Sequence, residues 1–406
     1  MSLPPVIRTD WLGAPEGLAP IPGGSVSTTP GFHAAGIACG LKPSSVLDLG
    51  VLFALGPVAS AFVDTTSALP AAPVIRNRTL DRSRLRAVVV NSGKANAATG
   101  SPGLEDAHAM ARRAAAALGV DEGQVAVCST GTIGERIDLG IAGPGIDRAV
   151  GALSADGGAD FGRAICTTDR APKGGAFSLA LGQGEITIGA AAKGAGMIRP
   201  DMATMLAYVT TDAALDPDDL AGMVAAAAAD SFNRISVDAQ MSPSDTLLVM
   251  AGGSGTALTG ADRDLFAAAL TAVCRWLAIQ MVKDGEGSEH AVRVLVRGAR
   301  DGAEANAVAR AVGESTLVKT AINGRDPNWG RISQSVGQAL AGSIDPVSEP
   351  VVSVDGVSFA SAEAIEVLAR EEYDLEVALG RGDGAAELWV SDLGHAYVTI
   401  NADYHT

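Results

Sequence analysis

Strand-like runs rich in β-branched residues alternate with long Ala-rich stretches along the whole chain, which restricts the fold to a mixed α/β or α+β type. Strands are expected at Arg86–Asn91, Gln124–Cys128, Glu185–Ala190, Thr246–Met250, Val292–Val296, Val351–Val354, Leu375–Ala378, Glu387–Val390 and Tyr397–Asn401. Helices are expected at Leu104–Leu118, Pro217–Ser231, Ala261–Val282, Asp301–Val312 and Ser361–Arg370. Each has Asp, Ser or Pro at or close to its start, as a capped amino terminus does. The most apolar stretch, Val51–Val63, carries Gly56 and Pro57 and is too short for a membrane span of about 20 residues, so it reads as a core strand or strand pair. At 406 residues two domains or lobes are expected. Aromatics are only 4% and glycines number 49, which points to a core of Ala, Val, Leu and Ile with many tight turns. No fixed-period repeat appears. The Gly/Asp segment Ala155–Gly162 reads as a surface loop, and turn-rich residues near Asp345–Pro350 set off a C-terminal α/β lobe at about 345–406.

The formal net charge of -16 repels phosphate backbones and anionic membrane surfaces, and no basic block offsets it, so neither nucleic acid nor a membrane is expected as a partner. The first residues lack a basic segment followed by an apolar run, which argues against a secretory signal. Cys39, Cys128, Cys166 and Cys274 are too scattered for a zinc site or a disulfide frame. A reduced, cytoplasmic setting is expected, with buried structural roles for Cys128, at the end of an apolar run, and Cys274, within a helical stretch.

Elimination narrows the chemistry. There is no G-x-S-x-G elbow, H-E-x-x-H, Walker sequence or strand-bounded G-x-G-x-x-G. The five histidines, His33, His108, His290, His395 and His405, are scattered, so spacing assembles no His-based triad. A nucleophile that brings its own base would need none of them. The segment KGAGMIRPDMATMLAYVTTDA (Lys193–Ala213) has the local chemistry for one: Gly194, Gly196 and Pro200 make an irregular loop, and Thr204 opens the apolar run Met205–Val209, which reads as a buried strand. If the Ala203–Thr204 peptide is held distorted, the Thr204 hydroxyl can attack the preceding carbonyl and form an ester that water then frees. The exposed α-amine, with an ordinary pKa of about 7.7 to 8.0, can serve as base for its own hydroxyl. Taken alone, a Thr at the start of a core strand is usually a plain strand former.

At this segment the sequence resembles the glutamate N-acetyltransferase/ornithine acetyltransferase family of arginine biosynthesis, whose nucleophile lies in K-G-x-G-M-x-x-P-x-M-A-T-M-L. The resemblance recurs as NSGKANAATG (Asn91–Gly100), STGTIGE (Ser129–Glu135), TTD (Thr167–Asp169), SFNRISVD (Ser231–Asp238), DGEG (Asp284–Gly287), GRDPNWGRI (Gly324–Ile332) and the terminal INADYHT, in family order over nearly the whole chain. It implies self-cleavage at Ala203–Thr204 into an α chain of residues 1–203 and a β chain of residues 204–406. The implied fold is the two-layer sheet and helix sandwich shared with self-processing N-terminal-nucleophile aminopeptidases. It further implies an (αβ)2 assembly and no metal or organic cofactor. The oxyanion hole falls on Thr130 and Gly131. Substrate contacts fall on Lys193, Thr204, Glu286, Asn401, Thr406 and one of Thr167 and Thr168. A Lys and a Glu suit the carboxylate and ammonium of a free amino acid, although each is ordinarily a surface charge. DPNWGR (Asp326–Arg331) has the look of a Pro-Asn turn holding Trp329 and Arg331 in structural or processing support.

The implied reaction moves acetyl from N-acetylornithine to glutamate through a Thr204 ester, and use of acetyl-CoA as a further donor stays open. The chain departs from the family pattern at Ser288, Glu289 and His290, at Ala239–Thr246, and at Lys94 and Arg199. Those departures spare the nucleophile and oxyanion donors and leave room for another acylated amino acid. A hydrolase of the same processing logic, or a binding protein that keeps the fold without cleavage, are the competing readings.

Overall fold

The computed structural model describes residues 8–43, 45–182, 184–199, 205–253, 257–343 and 348–403. The chain divides into two compact units: Met1–Gly194, Asp201–Asn233 and Met241–Gln280 form the first, and Ala195–Pro200, Arg234–Gln240 and Met281–Thr406 form the second.

A nine-stranded sheet organises the first unit in the spatial order Leu18–Ile21, Lys173–Leu181, Gly184–Lys193, Leu206–Thr211, Thr246–Ala251, Leu49–Asp64, Leu85–Lys94 and Val125–Thr132, with Phe32–Ile37 also paired to Leu49–Asp64. The apolar Val51–Val63 run is one long strand. Its first half pairs with Leu85–Lys94 and its second half with Thr246–Ala251, with the register shifting between Phe53 and Val58. That single strand lets the sheet fold over on itself. Alternation then sorts the core. Val88, Val90, Ala126 and Cys128 face Ala191, Leu206, Tyr208, Leu248 and Met250 in one cluster. Ala87, Val89, Val125 and Val127 face Met110, Ala114, Ile146 and Ala149 of the helices Gly100–Leu118 and Leu139–Gly151 in another. A strand buried on both faces must be apolar at every position, which explains the unbroken run Ala87–Val90.

In the second unit six strands run in the order Val357–Ser358, Val351–Val354, Glu372–Ala378, Ala291–Ala299, Gly384–Ser391 and Ile235–Ser236. Strict alternation puts Val292, Val294, Val296, Tyr373, Leu375 and Val377 on the core face, against the helices Gly302–Gly313, Thr316–Asn323 and Trp329–Ala339. The opposite face carries a bidentate cross-strand pair from Arg293 to Asp374 at 2.8 and 2.6 Å. The segment from about 345 onward thus shares its sheet with Ala291–Ala299.

Three local expectations change. Ala155–Gly162 is not a loop throughout, because Gly158–Ala164 is a helix that buries Phe161. Glycines on both sides of the contact serve close packing: a side chain on Gly36, in the strand Phe32–Ile37, would lie 2.1 Å from the Asp160 carbonyl oxygen, and one on Gly157 would lie 1.8 Å from that of Ala34. Tyr397–Asn401 is not a strand but part of the helix His395–Asp403. Its β-branched run suggests extended chain, yet the helix stacks Tyr397 and Asn401 on one face, where both find partners. Finally, Trp329 opens a helix rather than sitting in a turn.

Candidate active site

Two strand ends meet at Thr130 and Gly131. Val125–Thr132 runs parallel to Leu85–Lys94, with Ser92 opposite Thr130 and Gly93 opposite Gly131. Gly131 has φ +128° and a side chain there would lie 2.2 Å from the Gly93 carbonyl carbon, so the close approach of the S-T-G and N-S-G blocks demands glycine. Asn91 ties the same two strands together, accepting from the Ser129 hydroxyl at 2.6 Å.

Alternation turns Thr130 to the same side as Ala126 and Cys128, and Lys193, the last residue of its strand, to the same side as Ala191. The two polar side chains therefore meet between the layers, both almost fully buried, with Lys193 Nζ donating to Thr130 Oγ1 at 3.2 Å. Lysine can only donate, so the Thr130 hydroxyl accepts here and keeps its own hydrogen for another acceptor. Burial pushes the Lys193 ammonium down from its ordinary value, while the charge of Asp169 works against that.

Asp169 is the organiser that the T-T-D block hides. Its carboxylate accepts from Lys173 Nζ at 2.6 Å, from the Gly194 amide at 2.7 Å and from the Thr167 amide at 2.9 Å. Burial alone would raise this carboxyl, but Lys173, Lys193 and these amides hold it well below the usual range. Thr167 and Thr168 follow, half-buried, beside it. Lys42, which the sequence reading passed over, donates to the Cys166 carbonyl at 2.5 Å and fixes the approach to this turn.

Ala203 and Thr204 lie outside the described residues, as does Thr406. The chain around the former pair is anchored on both sides. Lys193 pairs with Leu206 across adjacent antiparallel strands, so residues 194–205 form a connection whose ends are neighbours. On its exit side the Met205 amide donates to Asp245 Oδ1 at 2.8 Å.

In the second unit Asp238 holds residues of the same connection, accepting from the Met197 amide at 2.6 Å and the Ile198 amide at 2.9 Å. The Tyr397 hydroxyl reaches Asp238 at 3.2 Å. Glu286 donates its amide to the Ala195 carbonyl at 2.8 Å, and its carboxylate accepts from Asn401 Nδ2 at 2.8 Å. A side chain on Gly196 would lie 2.5 Å from that carboxylate, so the K-G-x-G spacing makes room for Glu286. The structure thus brings Lys193 to Thr130 in one unit and Glu286 to Asn401 in the other.

The departures are mostly absorbed in packing. Ser288 and His290 are buried in a turn organised by Asp392, which accepts from the Ser288 hydroxyl at 3.1 Å and the His290 amide at 3.0 Å. Lys94 pairs with Glu135, and Arg199 lies 3.6 Å from Glu314. Arg331 donates to the Leu317 carbonyl at 2.7 Å, a structural tie between helices. Cys128 and Cys274 are buried, and burial pushes their thiols up to about 11 and about 12.

Comparison with known proteins supplies the family. The ArgJ family model matches residues 33–406. The arginine biosynthesis bifunctional protein ArgJ of Chlorobaculum tepidum is 40% identical over 396 residues, which cover 93% of this chain and 96% of the relative. The Bacillus subtilis protein of the same name is 40% identical over 400 residues, covering 94% and 97%. A crystal structure of ornithine acetyltransferase complexed with ornithine, from Mycobacterium tuberculosis, is 37% identical with a TM-score of 0.43, covering 47% of this chain and 100% of that one. A match that runs from His33 to the end of the sequence makes this chain a member of the ArgJ family.

Proposed function

We propose that the chain is a glutamate N-acetyltransferase of arginine biosynthesis that cleaves itself between Ala203 and Thr204 and then carries the acetyl group on Thr204. The observation that supports this most is the buried Lys193–Thr130 contact beside the anchored connection that contains both residues of the cleavage point. In the reaction the Thr204 α-amine takes the hydroxyl proton as Oγ attacks the acetyl carbonyl of N-acetylornithine. The Thr130 hydroxyl, oriented by Lys193, and the Gly131 amide donate to the oxyanion, each worth roughly 3 to 4 kcal/mol in the transition state. Ornithine leaves with the proton, and glutamate takes the acetyl group from the ester. Lys193, Glu286, Asn401, Thr406 and one of Thr167 and Thr168 are assigned to substrate recognition. Two cleaved αβ pairs associate in the cytoplasm in this reading, and acetyl-CoA is a further donor to be tried.

Incubation with N-acetylornithine, with and without glutamate, tests the proposal. Transfer gives N-acetylglutamate and ornithine in equal amounts. Release of acetate that glutamate does not suppress would overturn it in favour of hydrolysis.

A further inference from the structure

No residue of the helix His395–Asp403 is buried, so apolar packing does little to fix its orientation and directed contacts must. Two of its side chains supply them from one face, a turn apart. The Tyr397 hydroxyl donates to Asp238 Oδ2 at 3.2 Å, and Asn401 Nδ2 donates to Glu286 Oε2 at 2.8 Å and back to the Tyr397 carbonyl at 3.1 Å. Between those contacts the helix backbone lies against the DGEG turn. A side chain on Gly287, which has φ +71°, would come within 2.5 Å of the Tyr397 nitrogen. Every group in this arrangement belongs to the second unit.

Asp238 is a firm anchor. Its Oδ2 also accepts the Met197 amide at 2.6 Å, and its Oδ1 accepts the amides of Ile198 at 2.9 Å and Gln240 at 3.2 Å. These bonds hold Met197 at φ +56°, a left-handed conformation that costs a non-glycine residue free energy. Burial, with the charges of Asp238 and Glu286, drives the half-buried Tyr397 hydroxyl well above its ordinary value, so it stays a donor at neutral pH.

We infer that Tyr397 is a positioning residue for substrate recognition, its hydroxyl pinning the helix to Asp238 so that Asn401 is presented to Glu286. This rests on the assignment of Asn401 and Glu286 to the substrate made above. Without the hydroxyl the helix spends part of its time off this seat, and apparent affinity falls by the seated fraction. A contact remote from the reacting atoms is made equally in the ground and transition states, so the loss is read in KM and not in kcat.

The test is Tyr397→Phe in the full chain, which removes one oxygen and keeps the ring. KM for N-acetylornithine and for glutamate is expected to rise about 10-fold, the scale of one hydrogen bond to a carboxylate, with kcat within about twofold of wild type. Amide exchange across residues 395–403 is expected to quicken by about the same factor. Asn401→Ala is expected to raise KM as well, and the double variant to match Asn401→Ala alone within about twofold, because Tyr397 acts through Asn401. An unchanged KM in Tyr397→Phe overturns the inference, as do a fall in kcat alone and effects of the two substitutions that multiply. A Tyr397→Phe chain that folds but stays uncleaved also overturns it, since the hydroxyl would then serve Met197 and the precursor. So does one that does not fold by thermal melting, since the hydroxyl would then carry the stability of the unit rather than the seat of one helix. Asn401→Ala with unchanged KM, or a wild type that makes no N-acetylglutamate, would sink the reading beneath the inference instead. Amide exchange, which needs no turnover, still decides whether Tyr397 seats the helix.

Discussion

A buried lysine that touches a threonine hydroxyl is an unusual place to leave a charge. Lys193 is held there by Asp169, which also grips Lys173 and two backbone amides, so the cation is compensated although among the described residues only the Thr130 hydroxyl bonds it directly. Two expectations belong at this scale. Thr130→Val, nearly isosteric, is expected to cut kcat by about 10²- to 10³-fold with little change in KM, because the hydroxyl works only on the transition state. Steady-state kinetics at saturating N-acetylornithine and glutamate check it. Asp169→Asn breaks the ion pair with Lys173, in which both side chains are almost fully buried, and is expected to cost about 3 to 5 kcal/mol at pH 7 by urea unfolding. The folded carboxyl titrates below its unfolded value of about 3.9, so its stabilisation is complete above that pH and fades as pH falls toward the lower folded value. The gap between wild type and variant therefore narrows near pH 3.

At the scale of elements, the strands Leu85–Lys94 and Val125–Thr132 approach so closely at Gly93 and Gly131 that a methyl group cannot enter. Gly131→Ala sets a side chain against the Gly93 backbone at a left-handed φ and is expected to lose about 2 to 4 kcal/mol in denaturant unfolding. Transfer is expected to fall with it, since the same strand end carries both proposed oxyanion donors, Thr130 and Gly131. How elements show in sequence depends on what decides them. The strands around Val88 and Val127 and the helix Pro217–Ala229 were plain, because β-branched runs, alanine content and an Asp216 cap act locally. Leu139–Gly151 escaped notice although Asp138 caps it, because Gly140, Gly143, Pro144 and Gly145 weaken its helical pattern. Thr316–Asn323 likewise starts from a capping Ser315 that marks it in hindsight. His395–Asp403 misled in the other direction: Val398, Thr399 and Ile400 favour a strand, while the contacts of Tyr397 and Asn401 favour a helix. Those contacts are set by Asp238 and Glu286, distant in sequence, which periodicity does not report.

For the whole molecule, two sheets with different burial follow from two kinds of strand. Double-sided apolar runs mark the first unit and strict alternation marks the second, and both patterns are visible in the residues themselves. Motif blocks pointed to Lys193, Thr130 and Gly131. They did not point to Asp245, which showed only as part of an altered stretch, because its meaning lies in a bond to the Met205 amide forty positions earlier. In the proposed reaction these groups serve one event at one chain end. Intact-mass analysis of purified protein, before and after brief exposure to N-acetylornithine without glutamate, examines that event directly. Two chains are expected, one ending at Ala203 and one beginning at Thr204, with the second gaining one acetyl group that peptide mapping finds on Thr204 and that glutamate removes. A single uncleaved chain that is active, or an acetyl group mapped to another side chain, would contradict it.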